Sequence, residues 1–187
     1  MNMKLQLKIK KLFAKLKNER YRGGILMILT KSLSYEEITR NLDKEKDSIA
    51  IIGCNTCIRV SGSGGPEKLK ELALKLRSDG YKVKEGFMLP IACMEPYLFT
   101  AKLAIGVNTI ISLTCSAGVS NMKRNYSELK IIETVDDMGL MVSDANKGIL
   151  KLVCPYDKYK DKVGSEYGIG SDAKELEKEN LPMNMEV

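Results

Sequence analysis

The chain has 187 residues, is 44% apolar, and carries a formal net charge of +6 with no histidine. That length suits one domain with extensions around a sizeable core, and no apolar run approaches the ~20 residues that cross a bilayer. Without histidine, neither a Ser-His nor a Cys-His nucleophile can be assembled, which argues against a self-contained hydrolase.

The charge is unevenly placed. Residues 1–26 hold eight Lys and Arg against Glu19 alone, a balance of +7, so the remainder carries one net negative charge. Leu5, Ile9, Leu12, Phe13 and Leu16 recur at helical spacing in this basic leader, the pattern of a surface-binding amphipathic helix. A simpler expectation is that translation starts at Met27: Arg22-Gly23-Gly24 lies just upstream, and its codons can spell a ribosome-binding site. Nucleic-acid and membrane binding then lose their main support. The N-terminus lacks a compact apolar export signal and the five cysteines are few and odd in number, which predicts a reducing, cytoplasmic setting.

Along the rest of the chain, strands and helices alternate. Ser34-Tyr-Glu-Glu37 is a capping box opening a short helix to about Leu42. Ser48–Gly53 is a first apolar strand, and Pro66 starts a helix that places Leu69, Leu72, Ala73 and Leu76 on one face and ends at Asp79-Gly80. A second strand, 81–88, is followed by a helix expected near Glu95 to Ile105, a third strand over 108–114, a helix to about Tyr126, and a fourth strand over 129–134. Gly139–Val142 and Ile149–Val153 would add edge strands, and the acidic tail from Gly170 is expected to be loosely held, with a helix over Ser171 to Asn180. The expected organisation is a basic leader (1–26), an α/β metal-binding domain (27–155) and a polar, partly disordered tail (156–187). The fold class expected is a single three-layer α/β domain, Rossmann-like or flavodoxin-like, with a parallel sheet of four to five strands in the order 2-1-3-4.

Four of the five cysteines stand where these strands run out. Cys54 and Cys57 form a C-x-x-C after the first strand, Cys93 follows the second by a few residues, and Cys115 closes the third. In an open parallel sheet the carboxyl ends share the ligand-binding edge, so the four thiols should converge. Sulfur-only tetrahedral sites suit an iron–sulfur cluster, with zinc as the alternative. Cys154, in Val153-Cys-Pro155, is a possible fifth participant, with a buried core thiol as the plainer reading.

The same C-x-x-C could serve thiol–disulfide exchange. Against this, Ile-Arg-Val and a glycine loop follow Cys57 before the helix at Pro66, so the pair is not expected on a helix's first turn. The loop Ser61-Gly-Ser-Gly-Gly-Pro66 lacks a nucleotide-binding fingerprint. Together with Gly53, Gly62, Gly64, Gly65 and Gly118 are expected to let backbone pass close to the cysteine site. The pairs Asp136-Asp137 and Glu36-Glu37 read as solvated carboxylates.

Several ordered segments resemble one family. Ile51-Ile-Gly-Cys-Asn-Thr-Cys57 followed by Gly64-Gly65 is similar to its "GCxxC…GG" opening. Cys93-Met-Glu-Pro96 is similar to its Cys-Glu-Pro segment, Ser112-Leu-Thr-Cys-Ser-Ala-Gly-Val119 to its "LxCGxGV", and Met27-Ile-Leu-Thr to its N-terminus. The family is the small cysteine-bearing subunit of acetogen-type methylenetetrahydrofolate reductase, related to a C-terminal domain of that enzyme, and the resemblance covers residues 27–142. It implies an accessory subunit in which Cys54, Cys57, Cys93 and Cys115 ligate a metal centre, most simply a [4Fe-4S] cluster, that passes electrons to a flavoprotein reductase partner. The family usually continues into a ferredoxin-like cysteine cluster, of which only Cys154-Pro155 remains here. The flavin- and folate-binding subunit is also absent, so this chain alone is not expected to reduce methylenetetrahydrofolate. The alternatives are a non-redox, zinc-binding interaction module and the C-x-x-C thiol–disulfide oxidoreductase.

Overall fold

The computed structural model describes residues 26–176. The basic leader expected over 1–26 therefore lies outside the described residues except for Leu26, as do residues 177–187 of the expected tail.

The longest buried run of the sequence, Ser48-Ile-Ala-Ile-Ile-Gly-Cys54, forms strand β2, buried at every position after the first. Such a run suits a strand covered on both faces, as in the middle of a parallel sheet. It pairs with β3 (Lys82–Leu89) on one side and β4 (Thr109–Leu113) on the other, and β5 (Lys130–Glu133) adds to β4, all parallel. The resulting order is β3-β2-β4-β5, so the four parallel strands stand as 2-1-3-4 in chain order. The helix Pro66–Ser78 packs on β3 and β2, with Leu76 fully buried, and Ser116–Asn125 packs beside β5.

A second sheet corrects the expected fold class. β1 (Leu26–Ser32), β6 (Val135–Asp144), β7 (Ile149–Pro155) and β8 (Glu166–Gly168) form an antiparallel sheet in the order β1-β6-β7-β8. It has its own core of Met27, Leu29, Met138, Met141, Leu150, Leu152 and Tyr167. The single parallel, Rossmann-like sheet is thus wrong, because the segments 139–142 and 149–153 pair with each other and with the N-terminal strand rather than extending the parallel edge. The switch occurs across one buried residue. Thr134 gives its hydroxyl to the Ser112 carbonyl at 3.0 Å and its own carbonyl to the Leu33 N–H at 2.9 Å, so the chain leaves one sheet and enters the other at once.

Two further expectations are corrected. The helix near Glu95–Ile105 is only the four-residue turn Glu95–Leu98. The Tyr126 hydroxyl reaches the carbonyls of Leu98 and Ala101, and Glu85 accepts the Ala104 N–H at 2.7 Å, so the groups a longer helix would use are taken elsewhere. The tail is not loose as far as it is described: a 3-10 turn at Asp157–Lys162 leads into β8, and Ser171–Glu175 is non-helical.

That last segment is a clasp between the two sheets. Asp172 accepts the Ser32 N–H at 2.8 Å with one oxygen and the Lys68 ammonium at 2.7 Å with the other, while its own N–H donates to the Ser61 carbonyl at 2.8 Å. Gly170 donates to the Val60 carbonyl at 2.8 Å. Gly62 must be glycine for this approach: its φ is +85° and a Cβ would stand 2.2 Å from the Gly170 carbonyl carbon. Replacing Asp172 by Ala should therefore cost about 1–3 kcal/mol in denaturant unfolding, the range for a buried donor left without its acceptor. Asp172→Asn, which keeps an acceptor and tolerates the left-handed backbone (φ +58°), should cost clearly less. Equal losses would show that the clasp is not the source of the stability.

Candidate functional site

Three connections bring the cysteines to the carboxyl edge of the parallel sheet. Cys54 is the last residue of β2 and is buried; its sulfur accepts the Ala92 N–H at 3.4 Å, and its thiol faces the Pro90 carbonyl at 3.9 Å. The Thr56 hydroxyl also donates to that carbonyl, at 2.6 Å, and Asn121 donates to the Ala92 carbonyl at 2.9 Å. The loop carrying Cys93 is thereby held from both sides, although Cys93 itself is exposed. Cys115 caps the helix Ser116–Asn125 and is buried.

Cys57 stands in a place the sequence did not indicate. It opens a short helix, Cys57–Ser61, directly after the strand, so the expectation that the pair lies off any helix's first turn is corrected. The helix packs against the edge of β1, with the Cys115 thiol and the Ile28 N–H as the polar neighbours that act on the Cys57 thiol. These two donors, Cys115 first, hold the Cys57 thiol below its ordinary range, at about 7. Cys115 is pushed up because it keeps the proton it donates, and burial adds to this, opposed by the Gly118 N–H. Burial, then the charges of Cys115 and Cys54, also raises Cys93. The four thiols thus act on one another at a single edge. Among the described residues, no three Cys, Asp or Glu side chains already stand grouped around a position for a single metal ion.

Cys154 lies in β7 opposite Leu140, with Tyr156 as an electrostatic neighbour. The glycines divide. Gly118 belongs at the site: a Cβ there would come within 2.5 Å of the Thr114 hydroxyl and 3.3 Å of Ala92, so only glycine lets the helix start this close to the Cys93 loop. Gly53 makes room for Met88 and Leu69, Gly64 for Ile58, and Gly62 for the clasp. Gly65, at φ +105°, caps the helix starting at Pro66.

The adjacent carboxylates are not a solvated pair. Asp136 is engaged by the Lys158 ammonium and by the Tyr159 hydroxyl. Asp137 accepts the Ser116 N–H at 2.9 Å beside Cys115, and burial raises its carboxyl. Ile28 and Asp137 were missed because both belong to the second sheet; an Asp in a largely apolar strand, two residues before a glycine, was the available signal.

No family model, no curated protein and no solved structure matches this chain. No helix among the described residues is long and apolar enough to cross a membrane.

In metal-free, reduced protein one thiolate should appear in the ultraviolet absorbance with a midpoint near pH 7, and Cys57→Ala should abolish it. Cys115→Ala removes the donated hydrogen bond, so the midpoint should move up towards the ordinary cysteine value of about 8.5. A wild-type midpoint already at that value would show that Cys115 and Ile28 do not stabilise the anion.

Proposed function

We propose that Cys54, Cys57, Cys93 and Cys115 hold a metal centre, an iron–sulfur cluster in the first instance, and that the protein is an electron-transfer subunit. The observation that carries this reading is the placement of four thiols, on the connections that follow three parallel strands, at one sheet edge. The donor set fits: sulfur ligands select soft metals and iron–sulfur clusters, and the backbone N–H of Ala92 directed at the Cys54 sulfur is the kind of contact that tunes such a centre. A cluster also spreads its ligating sulfurs more widely than a single ion does, which suits thiols that are neighbours without being grouped around one point. When bound, it would supply one-electron transfer at a potential set by burial and by those hydrogen bonds.

The chain's own residues supply access. Cys93 is exposed, and Met94 (47%), Tyr97 (37%) and Phe99 (57%) are large exposed apolar side chains on the same loop. A partner resting there would lie beside the thiols. The resemblance to the methylenetetrahydrofolate reductase subunit family makes that partner a flavoprotein of the same type, in the cytoplasm. Zinc in the same cysteines would make the chain a binding module instead. A second reading, thiol–disulfide chemistry, is favoured by one observation: Cys57 opens a helix, a position that favours a thiolate.

Protein purified without oxygen should contain iron with equimolar sulfide and show a broad visible band that dithionite bleaches. Single Cys→Ala changes at Cys54, Cys57 and Cys115 should each remove most of it. Zinc without colour would move the function to binding, and metal-free protein that cycles between dithiol and disulfide would favour the second reading.

A further inference from the structure

The antiparallel sheet reaches the cysteine edge through one carboxylate whose surroundings the architecture alone does not require. In the pairing of β1 with β6, Leu29 faces Gly139 and Thr30 faces Asp137, so Met138 is an extra residue in a β-bulge. A bulge re-aims the side chains next to it, and bulges are common beside functional sites. Here Asp137 is turned to the start of the helix Ser116–Asn125, where its Oδ2 accepts the Ser116 N–H at 2.9 Å. Ser116 directly follows Cys115, so this bond fixes the backbone on which the Cys115 thiol stands.

The charge environment is the second observation. Asp136 is balanced by Lys158. Among the described residues Asp137 makes no ion pair, and Asp136 and Glu133 are like charges that raise its carboxyl. Its own charge in turn acts on Cys115 and on Tyr156. A half-buried carboxylate beside thiols with no cation is costly in the protein alone. A positive metal centre held by those thiols would offset that cost.

We propose that Asp137 is a positioning residue of the cysteine-held centre, fixing Cys115 through the Ser116 N–H and placing a permanent negative charge beside the metal. This rests on the metal-centre reading above. The role is electrostatic and geometric: Asp137 holds the helix start with one oxygen and lowers the reduction potential of the centre by its charge. The second sheet thereby shapes the chemistry of a site whose ligands all belong to the first.

The test compares full-length wild type, Asp137→Asn and Asp137→Ala, each reconstituted anaerobically with iron and sulfide. Asn keeps an acceptor for the Ser116 N–H and removes only the charge. Asp137→Asn should take up the cluster normally with its midpoint potential shifted positive. Asp137→Ala should also lose the cluster to a chelator about tenfold faster, the usual scale for a lost outer-shell partner. Should the Ala variant fail to fold, the Asn potential still decides. An unchanged Asn potential, or an unchanged Ala loss rate in a folded variant, overturns the proposal and leaves the metal reading intact. If wild type binds zinc instead, chelator release rates from the three proteins decide in the same way. Wild type that takes up neither metal overturns the metal reading, and this proposal with it.

Discussion

The structure depends on how the open edge of β1 is satisfied. The strand is paired with β6 on one side only, so the N–H groups of Ile28, Thr30 and Ser32 alternate outward along its free edge. Two find side-chain acceptors, Thr30 the Ser61 hydroxyl at 3.2 Å and Ser32 the Asp172 carboxylate at 2.8 Å, while the Cys57 thiol stands beside Ile28. Cys57 and Ser61 are four residues apart and so share one face of a short helix, which lets that helix stand in for a fifth strand. Ser61 gives its own proton to the Cys57 carbonyl at 2.9 Å, leaving a lone pair for Thr30. An unmatched buried N–H costs about 1–3 kcal/mol, so these matched groups help specify how the sheets meet and also blunt an edge that would otherwise invite aggregation.

This seam runs past the carboxyl ends of the parallel strands, which ties architecture to chemistry. The helix that closes the β1 edge begins with Cys57, so one sulfur serves both as a structural acceptor and as a member of the thiol group. A thiolate accepts an N–H better than a thiol does, and the Ile28 donor therefore favours the ionised form that metal binding or exchange requires. The same sheet contributes Asp137 and brings Tyr156 to the rim beside Cys115. The parallel sheet carries the cysteines, while the antiparallel sheet determines what surrounds them.

The division between what was legible and what was not follows these contacts. That Cys54, Cys57, Cys93 and Cys115 follow strands of one parallel sheet was readable because strand–helix alternation obliges parallel strands to share a carboxyl edge, whatever else the chain does. The second sheet was hidden because a short apolar run does not reveal its partner. Met27 to Thr30 could be read as the start of a domain, and 139–142 and 149–153 could add to any open edge. Periodicity also carries no record of tertiary capture: the residues after Leu98 keep a helical pattern, but Tyr126 takes the carbonyls. Asp137 looked solvated because the bulge that turns it inward exists only once β1 and β6 have paired.

Charge balance makes the thiol edge incomplete by itself. None of the charges acting most strongly on Cys57, Cys93 or Cys115 is a cation; they are other thiols and Asp137. In the protein alone Cys57 is accordingly lowered, while Cys115 and Cys93 are raised. Lysine or arginine beside the edge would have stabilised several thiolates permanently and suited a nucleophile. Their absence from these interactions leaves the negative charge to be offset by whatever binds, so that loading a cationic centre should expel the protons from the remaining cysteines.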